Sequence, residues 1–233
     1  MSAERLVRDK ITRITPEIAL QLTTLDCYEL ILPSVATLTP EDILCFGDRI
    51  APQTITFPAV THLPATVALE LANGVRSQWV FPAVTSLDRS TLRALASWKR
   101  GWISFPGLTN IAAVAEHLEL ALHCGNLSIV RLLIEQGGFS PNHLFRNRLV
   151  PILIAGQHLN AALIRLLIEL GADANYQSHK DGDTILHLAC RARSNGLINY
   201  LIDHVNLTIR NLNGRIPYDE YLDDDPIREK LVP

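Results

Sequence analysis

The sequence lacks a strong excess of charge of either sign. It has 21 lysines and arginines against 24 aspartates and glutamates, which gives a formal net charge of -3 over 233 residues. Binding to nucleic-acid phosphates or to anionic membrane surfaces requires clustered cations. We therefore expect neither a nucleic-acid partner nor an anionic membrane surface.

Long apolar segments are missing as well. The longest apolar stretch, near residues 149–155, is far shorter than the roughly 20 residues that span a bilayer. Residues 1–10 mix both charge signs and never enter the apolar run of a secretory signal. These absences predict a soluble protein without membrane insertion.

Catalytic and metal-binding motifs are also absent. The sequence contains no G-x-S-x-G, P-loop, G-x-G-x-x-G or H-E-x-x-H motif. Its four cysteines form no CxxC pair and are widely separated, at Cys27, Cys45, Cys124 and Cys190. This spacing favours reduced core thiols over disulfides or metal binding. We expect a protein that is not an enzyme and holds no cofactor and no metal.

Internal repetition is the strongest positive feature of the first half. The segment TFPAVTHL at residues 56–63 recurs as VFPAVTSL at 80–87 and as SFPGLTNI at 104–111, each 24 residues later. A looser copy occupies residues 31–38, and the Thr-Pro-Glu motifs at 15–17 and 39–41 indicate a decayed first copy. Repeats that cannot bury their own apolar face stack into solenoids.

Each repeat is predicted to contain a strand, a turn and a short helix. Apolar residues alternate before each proline, as at Ile55 and Phe57, which is strand spacing. Residues 67–72 and 91–96 combine helix-forming residues with an apolar face. The residues expected to face outward from the strands are Ile31, Thr56, Val80 and Ser104, with Trp102 nearby. Because Val80 and Trp102 are apolar, they either bind a partner or pack against a flank of the solenoid.

The repeated motif also predicts columns of identical residues. Thr61, Thr85 and Thr109 form one column, and their hydroxyls are expected to satisfy backbone groups in the turn. The period and the strand–proline–turn motif resemble the short leucine-rich repeats of bacterial proteins over about the first 110 residues. The asparagine of the commoner leucine-rich consensus is missing.

A second period, of 34 residues, governs the rest of the chain. The segment LLIE at residues 132–135 recurs at 166–169, and YLID takes its place at 200–203. Each unit is predicted to consist of two antiparallel helices, and the second helices should begin near Leu127, Ala161 and Asn195. The GADAN segment at residues 171–175 supplies a helix-ending glycine and a polar loop.

These segments resemble the ankyrin family. TILHLA at residues 184–189 matches the T-P-L-H-x-A signature except for isoleucine in place of proline. The unit at residues 116–146 lacks that signature, and residues 213–219 resemble a capping half-repeat. The resemblance implies that His187 bonds to loops between repeats and does not act as a base. The acidic end of the chain, residues 219–225, is expected to face solvent.

Two positions depart from the helix–helix turn of the first ankyrin-type unit. Leu159 and Arg193 replace the glycine that stands there as Gly125, so we expect these turns to be strained or remodelled. Neither His123 with Cys124 nor Asp181 with Asp183 has the spacing of a metal site.

The two periods together predict an α+β repeat protein. A short leucine-rich-repeat-like strand–helix solenoid, residues 1–113, should continue into an α-helical ankyrin solenoid with a capping half-repeat, residues 114–233. No glycine- or serine-rich linker separates the arrays. We therefore expect one continuous core in which the first array caps the second.

The ankyrin resemblance implies that a partner protein binds to the hairpin tips and to the exposed side of the first helices, which line a concave groove. Side chains of the arginine, aromatic and histidine types often dominate protein interfaces. The implied partner-binding residues are Phe145, Arg146, Leu149, Gln157, His158, His179, Lys180, Asp183, Arg191 and Arg193.

The expected function is a scaffold for protein–protein interaction. Two alternatives stay open: an enzyme with a site at the repeat junction near residues 111–124, and a structural subunit of a larger assembly. Because both arrays resemble bacterial proteins, we expect a cytoplasmic protein or an effector delivered into a host cell.

Overall fold

The computed structural model describes residues 3–25, 27–46, 52–73, 77–98, 102–221 and 226–232. The chain folds into two compact units, residues 1–138 and residues 139–233. The predicted change of repeat type at residues 113 and 114 lies inside the first unit. Asp223, Asp224 and Asp225, which were expected to face solvent, lie outside the described residues.

The first unit is built on a parallel sheet. Its strands pair in the order β1 (Ala3–Val7), β2 (Cys27–Ile31), β3 (Thr54–Thr56), β4 (Gln78–Val80) and β6 (Trp102–Ser104), while β5 (Ser86–Leu87) pairs with β7 (Asn110–Ile111). Partners in neighbouring strands are 24 residues apart, or 25 between β2 and β3. The sequence period is therefore the register of the sheet.

A helix follows each of the first strands: α1 (Pro16–Thr23), α2 (Pro40–Phe46), α3 (Ala65–Asn73) and α4 (Arg89–Ala96). Short polar side chains cap the N-termini of α1 and α4. The Thr15 hydroxyl accepts a hydrogen bond from the Ile18 N–H (3.3 Å), and the Asp88 carboxylate accepts one from the Thr91 N–H (2.8 Å). The helices pack side by side in chain order.

A column of aromatic rings fills the core of the first unit. Phe57, Phe81 and Phe105 stack with centroid separations of 5.6 and 5.8 Å, and Trp79 stacks on Phe57 at 5.9 Å. All four side chains are buried. The inward positions predicted before and at the repeated phenylalanines, such as Ile55 and Phe57, are thereby confirmed.

The prediction for the outer face of the strands was wrong at Ile31 and Thr56, which are both buried. The physical reason lies in the neighbouring strand, because the Thr56 hydroxyl bonds to the Glu29 carboxylate (2.9 Å) and Glu29 pairs with Arg5 (3.4 Å). Val80 and Ser104 are half-buried, and Trp102 is exposed.

The threonine column is exposed, and its hydroxyls bond in part as expected. The Thr109 hydroxyl donates to the Thr85 carbonyl (3.2 Å), one repeat away. This bond ties the last turn of the array to the one before it.

The strand–helix array passes into the first ankyrin-type helices without a linker. Helix α5 (Ala115–Cys124) packs against α4, and α6 (Leu127–Glu135) packs against β6. The Asn126 side chain accepts from the Ile129 N–H (3.1 Å) and donates to the Leu95 carbonyl (2.8 Å). One residue thus caps α6 and satisfies the end of α4.

The second unit is helical where the structure describes it. It contains α7 (Pro151–Gln157), α8 (Ala161–Glu169), α9 (Ile185–Arg191), α10 (Asn195–Leu201), α11 (Pro217–Glu220) and α12 (Pro226–Glu229). The predicted helix starts at Leu127, Ala161 and Asn195 are confirmed. Within the described ranges, no helix combines the length and apolarity needed to cross a membrane.

Candidate partner-binding surface

Three hairpin tips project from the second unit, and we refer to residues 145–149, 178–183 and 211–215 as the first, second and third tips. Each is closed by a backbone hydrogen bond: Phe145 N–H to Leu149 carbonyl (3.0 Å), Ser178 N–H to Asp183 carbonyl (2.9 Å) and Asn211 N–H to Arg215 carbonyl (2.9 Å). The donors are 33 residues apart. The tips are therefore equivalent parts of successive repeats.

The second and third tips are joined directly. The Leu212 N–H donates to the Asp181 carbonyl (2.8 Å), and the Gln177 amide donates to the Gly182 and Arg210 carbonyls. Gly182 has a φ of 72°, and a Cβ at this position would lie 2.7 Å from the Leu212 nitrogen. Glycine is needed here both for the backbone conformation and for the close approach of the tips.

The buried side chain of His187 connects its own repeat to the third tip. Its Nδ1 accepts a hydrogen bond from the Thr184 N–H (3.2 Å), so the ring proton lies on Nε2, which donates to the Arg215 carbonyl (3.0 Å). The histidine is fully buried. The inter-repeat bond implied by the ankyrin resemblance is confirmed.

An ionic cluster of two buried carboxylates and an exposed arginine lies beside this histidine. Arg191 Nη2 lies 2.8 Å from Asp183 Oδ2, and Arg191 Nε lies 3.4 Å from Glu220 Oε2. The Asn211 amide donates to Asp183 Oδ1 (2.9 Å) and Glu220 Oε1 (3.1 Å). Two carboxylates and one guanidinium thus hold α9, α11 and the third tip together.

The ten predicted site residues differ in their exposure. The prediction was wrong for Phe145 and Asp183, because their side chains are buried: Phe145 packs against His143 at 4.9 Å between ring centroids, and Asp183 belongs to the ionic cluster. Leu149 is half-buried. Seven lie on the surface: Arg146, Gln157, His158, His179, Lys180, Arg191 and Arg193.

Positive charge prevails on the first two tips. Arg146, Arg148 and Lys180 are exposed there, whereas Asp183 is turned inward and Asp181 accepts a hydrogen bond from the Asp183 N–H (3.1 Å). Two exposed residues of the tips were not among the ten predicted site residues. They are Arg148, on the first tip, and Leu212, which is 73% exposed on the third tip. The 33-residue spacing of the tips was the signal that would have found both.

A buried histidine that the sequence patterns did not indicate is His117, in the first unit. Its Nδ1 accepts from the Val114 N–H (3.2 Å), as His187 does from Thr184, although the T-P-L-H signature is absent here. Burial lowers the pKa of His117, while Glu116 and a hydrogen bond to the Arg89 carbonyl act in the opposite direction. This imidazole is occupied with capping α5.

The four cysteines form no disulfide, and the thiols of Cys27 and Cys190 are buried. Burial raises the pKa of the Cys190 thiol to about 12, and the charge of Glu220 adds to this effect. The thiol is therefore protonated at neutral pH and unsuited to nucleophilic chemistry. In the described part of the chain, no group of three or more His, Cys, Asp and Glu residues could hold a metal ion.

Comparison with known proteins identifies the second array. Residues 118–211 match the family model of ankyrin repeats, in three copies. The chain is 38% identical over 77 residues to "Ankyrin repeat, SAM and basic leucine zipper domain-containing protein 1" of Saimiri boliviensis boliviensis, and equally to that of Ateles geoffroyi. These matches cover 33% of this chain and 16% of each relative. The protein of the same name from Otolemur garnettii is 35% identical over 102 residues, which are 43% of this chain and 20% of the relative.

The ankyrin repeats predicted from the sequence are thereby confirmed, and they support a role in protein–protein interaction. The chain spans a fifth or less of the length of these relatives. The comparisons do not support the leucine-rich-repeat resemblance of the first array or the interpretation as a bacterial effector.

Proposed function

We propose that this chain is a protein-interaction scaffold and that its hairpin tips bind an acidic surface of a protein partner. The observation that carries the proposal is the charge of the first and second tips. Arg146, Arg148 and Lys180 face solvent there, although the whole chain has a formal net charge of -3. Electrostatic complementarity of this kind steers association and selects among partners.

The mechanism is rigid display without bond chemistry. The third tip is held by the Leu212–Asp181 backbone bond and by the His187–Arg215 bond, both of which come from the neighbouring repeat. A surface that is ordered before binding loses less conformational entropy in the complex. The tips therefore suit a partner with a fixed, complementary shape.

The enzyme alternative gains no support at the repeat junction. Residues 111–124 contain two imidazoles: that of His117 is engaged by the Val114 N–H, and that of His123 lies on the exposed side of α5. The thiol of Cys190 is buried in the second unit, with a pKa far above neutrality.

Affinity capture with charge-reversed tips tests the proposal. The variant Arg146→Glu/Lys180→Glu should lose a partner that the wild-type chain retains, and added salt should release that partner from the wild type. Arg191 is unsuitable for reversal, because a glutamate there would face Asp183 and Glu220 inside the ionic cluster.

Lys10→Glu/Arg13→Glu is the matched control, since it reverses one lysine and one arginine that are exposed on the first unit. Circular dichroism should show that both variants keep the wild-type melting temperature. If the tip variant retains the same proteins as the control, the proposed surface is wrong.

A further inference from the structure

The helices of the first unit carry an apolar stripe on their exposed side. Leu20 of α1, Leu44 of α2 and Leu69 of α3 occupy equivalent positions of successive repeats, and their exposed fractions are 68%, 63% and 46%. Because these helices pack side by side, the three leucines form a row. We call this row the leucine stripe. Contiguous exposed apolar patches commonly mark interaction sites.

The stripe leads to a cavity. A space of about 400 Å³ opens between α3, α4 and α5, and Leu69, Ala94 and Leu120 are among the residues that line it. A water molecule occupies about 30 Å³, so the cavity has room for a large apolar side chain. Protruding leucines and a cavity therefore lie on the same face of one unit.

The two ends of the stripe carry opposite charge. Glu17 and Glu41 precede Leu20 and Leu44 by three residues and are exposed on the same helix faces. On α4, the position equivalent to Leu69 is Arg93, and Arg89 lies one turn before it; both are exposed.

We propose that the leucine stripe binds a second copy of this chain in a two-fold symmetric dimer. In such a dimer the same patch meets itself in the opposite direction. An axis through α3 places α2 against α4 of the second copy. Leu44 then enters the cavity of the other chain, and Glu41 faces Arg93 of the partner subunit.

A second copy of the chain is the proposed partner because complementary features lie together on one face of the first unit. A two-fold interface needs a protrusion with its cavity, and an acidic end with its basic end, on a single surface. The leucine stripe provides both pairs. For an unrelated partner, this chain would need only the protrusion or the cavity, and only the acidic or the basic end.

Sedimentation equilibrium of the full chain tests the proposal. We expect a mass of twice 25.9 kDa, and Leu44→Glu should raise the dimer dissociation constant about tenfold or more. Leu144→Glu is the matched control, because it adds the same charge at an exposed leucine of the second unit that lies outside the three tips. It should leave the dimer intact.

Exchange of the two charges tests whether α2 of one chain lies against α4 of the second copy. Glu41→Arg and Arg93→Glu should each weaken the dimer, and the two together should restore it. Leu69→Cys should cross-link two chains under oxidation, since the axis brings α3 against itself.

Several results would overturn the dimer. One is a monomer at concentrations up to about 0.1 mM, where an affinity of micromolar order would be saturated. Another is a double charge exchange that fails to restore association. An equal effect of Leu144→Glu would also assign the contact to a different surface.

Discussion

Leu159 and Arg193 close the turns between the two helices of their repeats with positive φ angles, 49° and 55°. The first ankyrin repeat has Gly125 at this place, with a φ of 70°. Side chains with a Cβ pay about 1 to 2 kcal/mol in this left-handed region. The strain expected from the sequence is thus present in the backbone at both positions.

Leu159→Gly should stabilise the second unit by about 0.5 to 1 kcal/mol, because relief of this strain exceeds the entropy that glycine adds to the unfolded chain. Thermal unfolding followed by circular dichroism would measure the gain. Leu159→Ala is the control, since it removes the same side chain but keeps the Cβ. Equal stabilisation by both variants would show that loss of the exposed leucine, and not backbone strain, is responsible.

Among the elements, the column of stacked rings in the core of the first unit connects successive repeats. Phe81 stacks between Phe57 and Phe105 and is fully buried. Rings in such a stack contribute buried area and favourable ring geometry together. The column therefore packs successive repeats against one another through the core of the first unit.

Phe81→Ala should lower the free energy of unfolding of the first unit by about 3 to 5 kcal/mol, because it leaves a cavity in the middle of the column. Urea unfolding followed by tryptophan fluorescence measures this unit alone, since the tryptophans are Trp79, Trp98 and Trp102. Trp102→Ala, at an exposed ring, should cost about 1 kcal/mol or less. If both variants lost a similar amount of unfolding free energy, the ring column would not be important for the stability of the first unit.

At the scale of the whole molecule, the join between the two repeat types lies within the first unit and includes a buried titratable group. Burial lowers the pKa of His117 from its ordinary value of 6.5, and the charges of Arg89 and Arg93 on α4 add to this effect. Glu116 on α5 and the hydrogen bond to the Arg89 carbonyl oppose it. The folded unit therefore holds a histidine that resists protonation.

The first unit should lose stability as the pH falls below about 6.5, because the unfolded chain then binds a proton that the folded chain does not. The loss should continue until the folded histidine is itself protonated. Urea midpoints from tryptophan fluorescence at about pH 7.5 and about pH 5 would measure it. His117→Gln keeps an acceptor for the Val114 N–H and should show a smaller fall. An equal fall in both proteins would exclude His117 as the cause.

The sequence by itself determined the repeats and their elements. The 24-residue period is the register of the parallel sheet, and the second helices of the ankyrin repeats begin at the three residues expected, such as Ala161. Periodicity succeeds here because each repeat buries the same positions against its neighbours, so a pattern in the chain becomes a pattern in the core.

Only the tertiary structure decided which side chains remain accessible. Thr56 is covered through Glu29, and Asp183 is drawn inward by Arg191 and by Asn211, 28 residues further along the chain. The periods also did not indicate that the two units divide after residue 138. Burial of a polar side chain depends on the charges and donors that neighbouring repeats bring to it, and these differ from one repeat to the next.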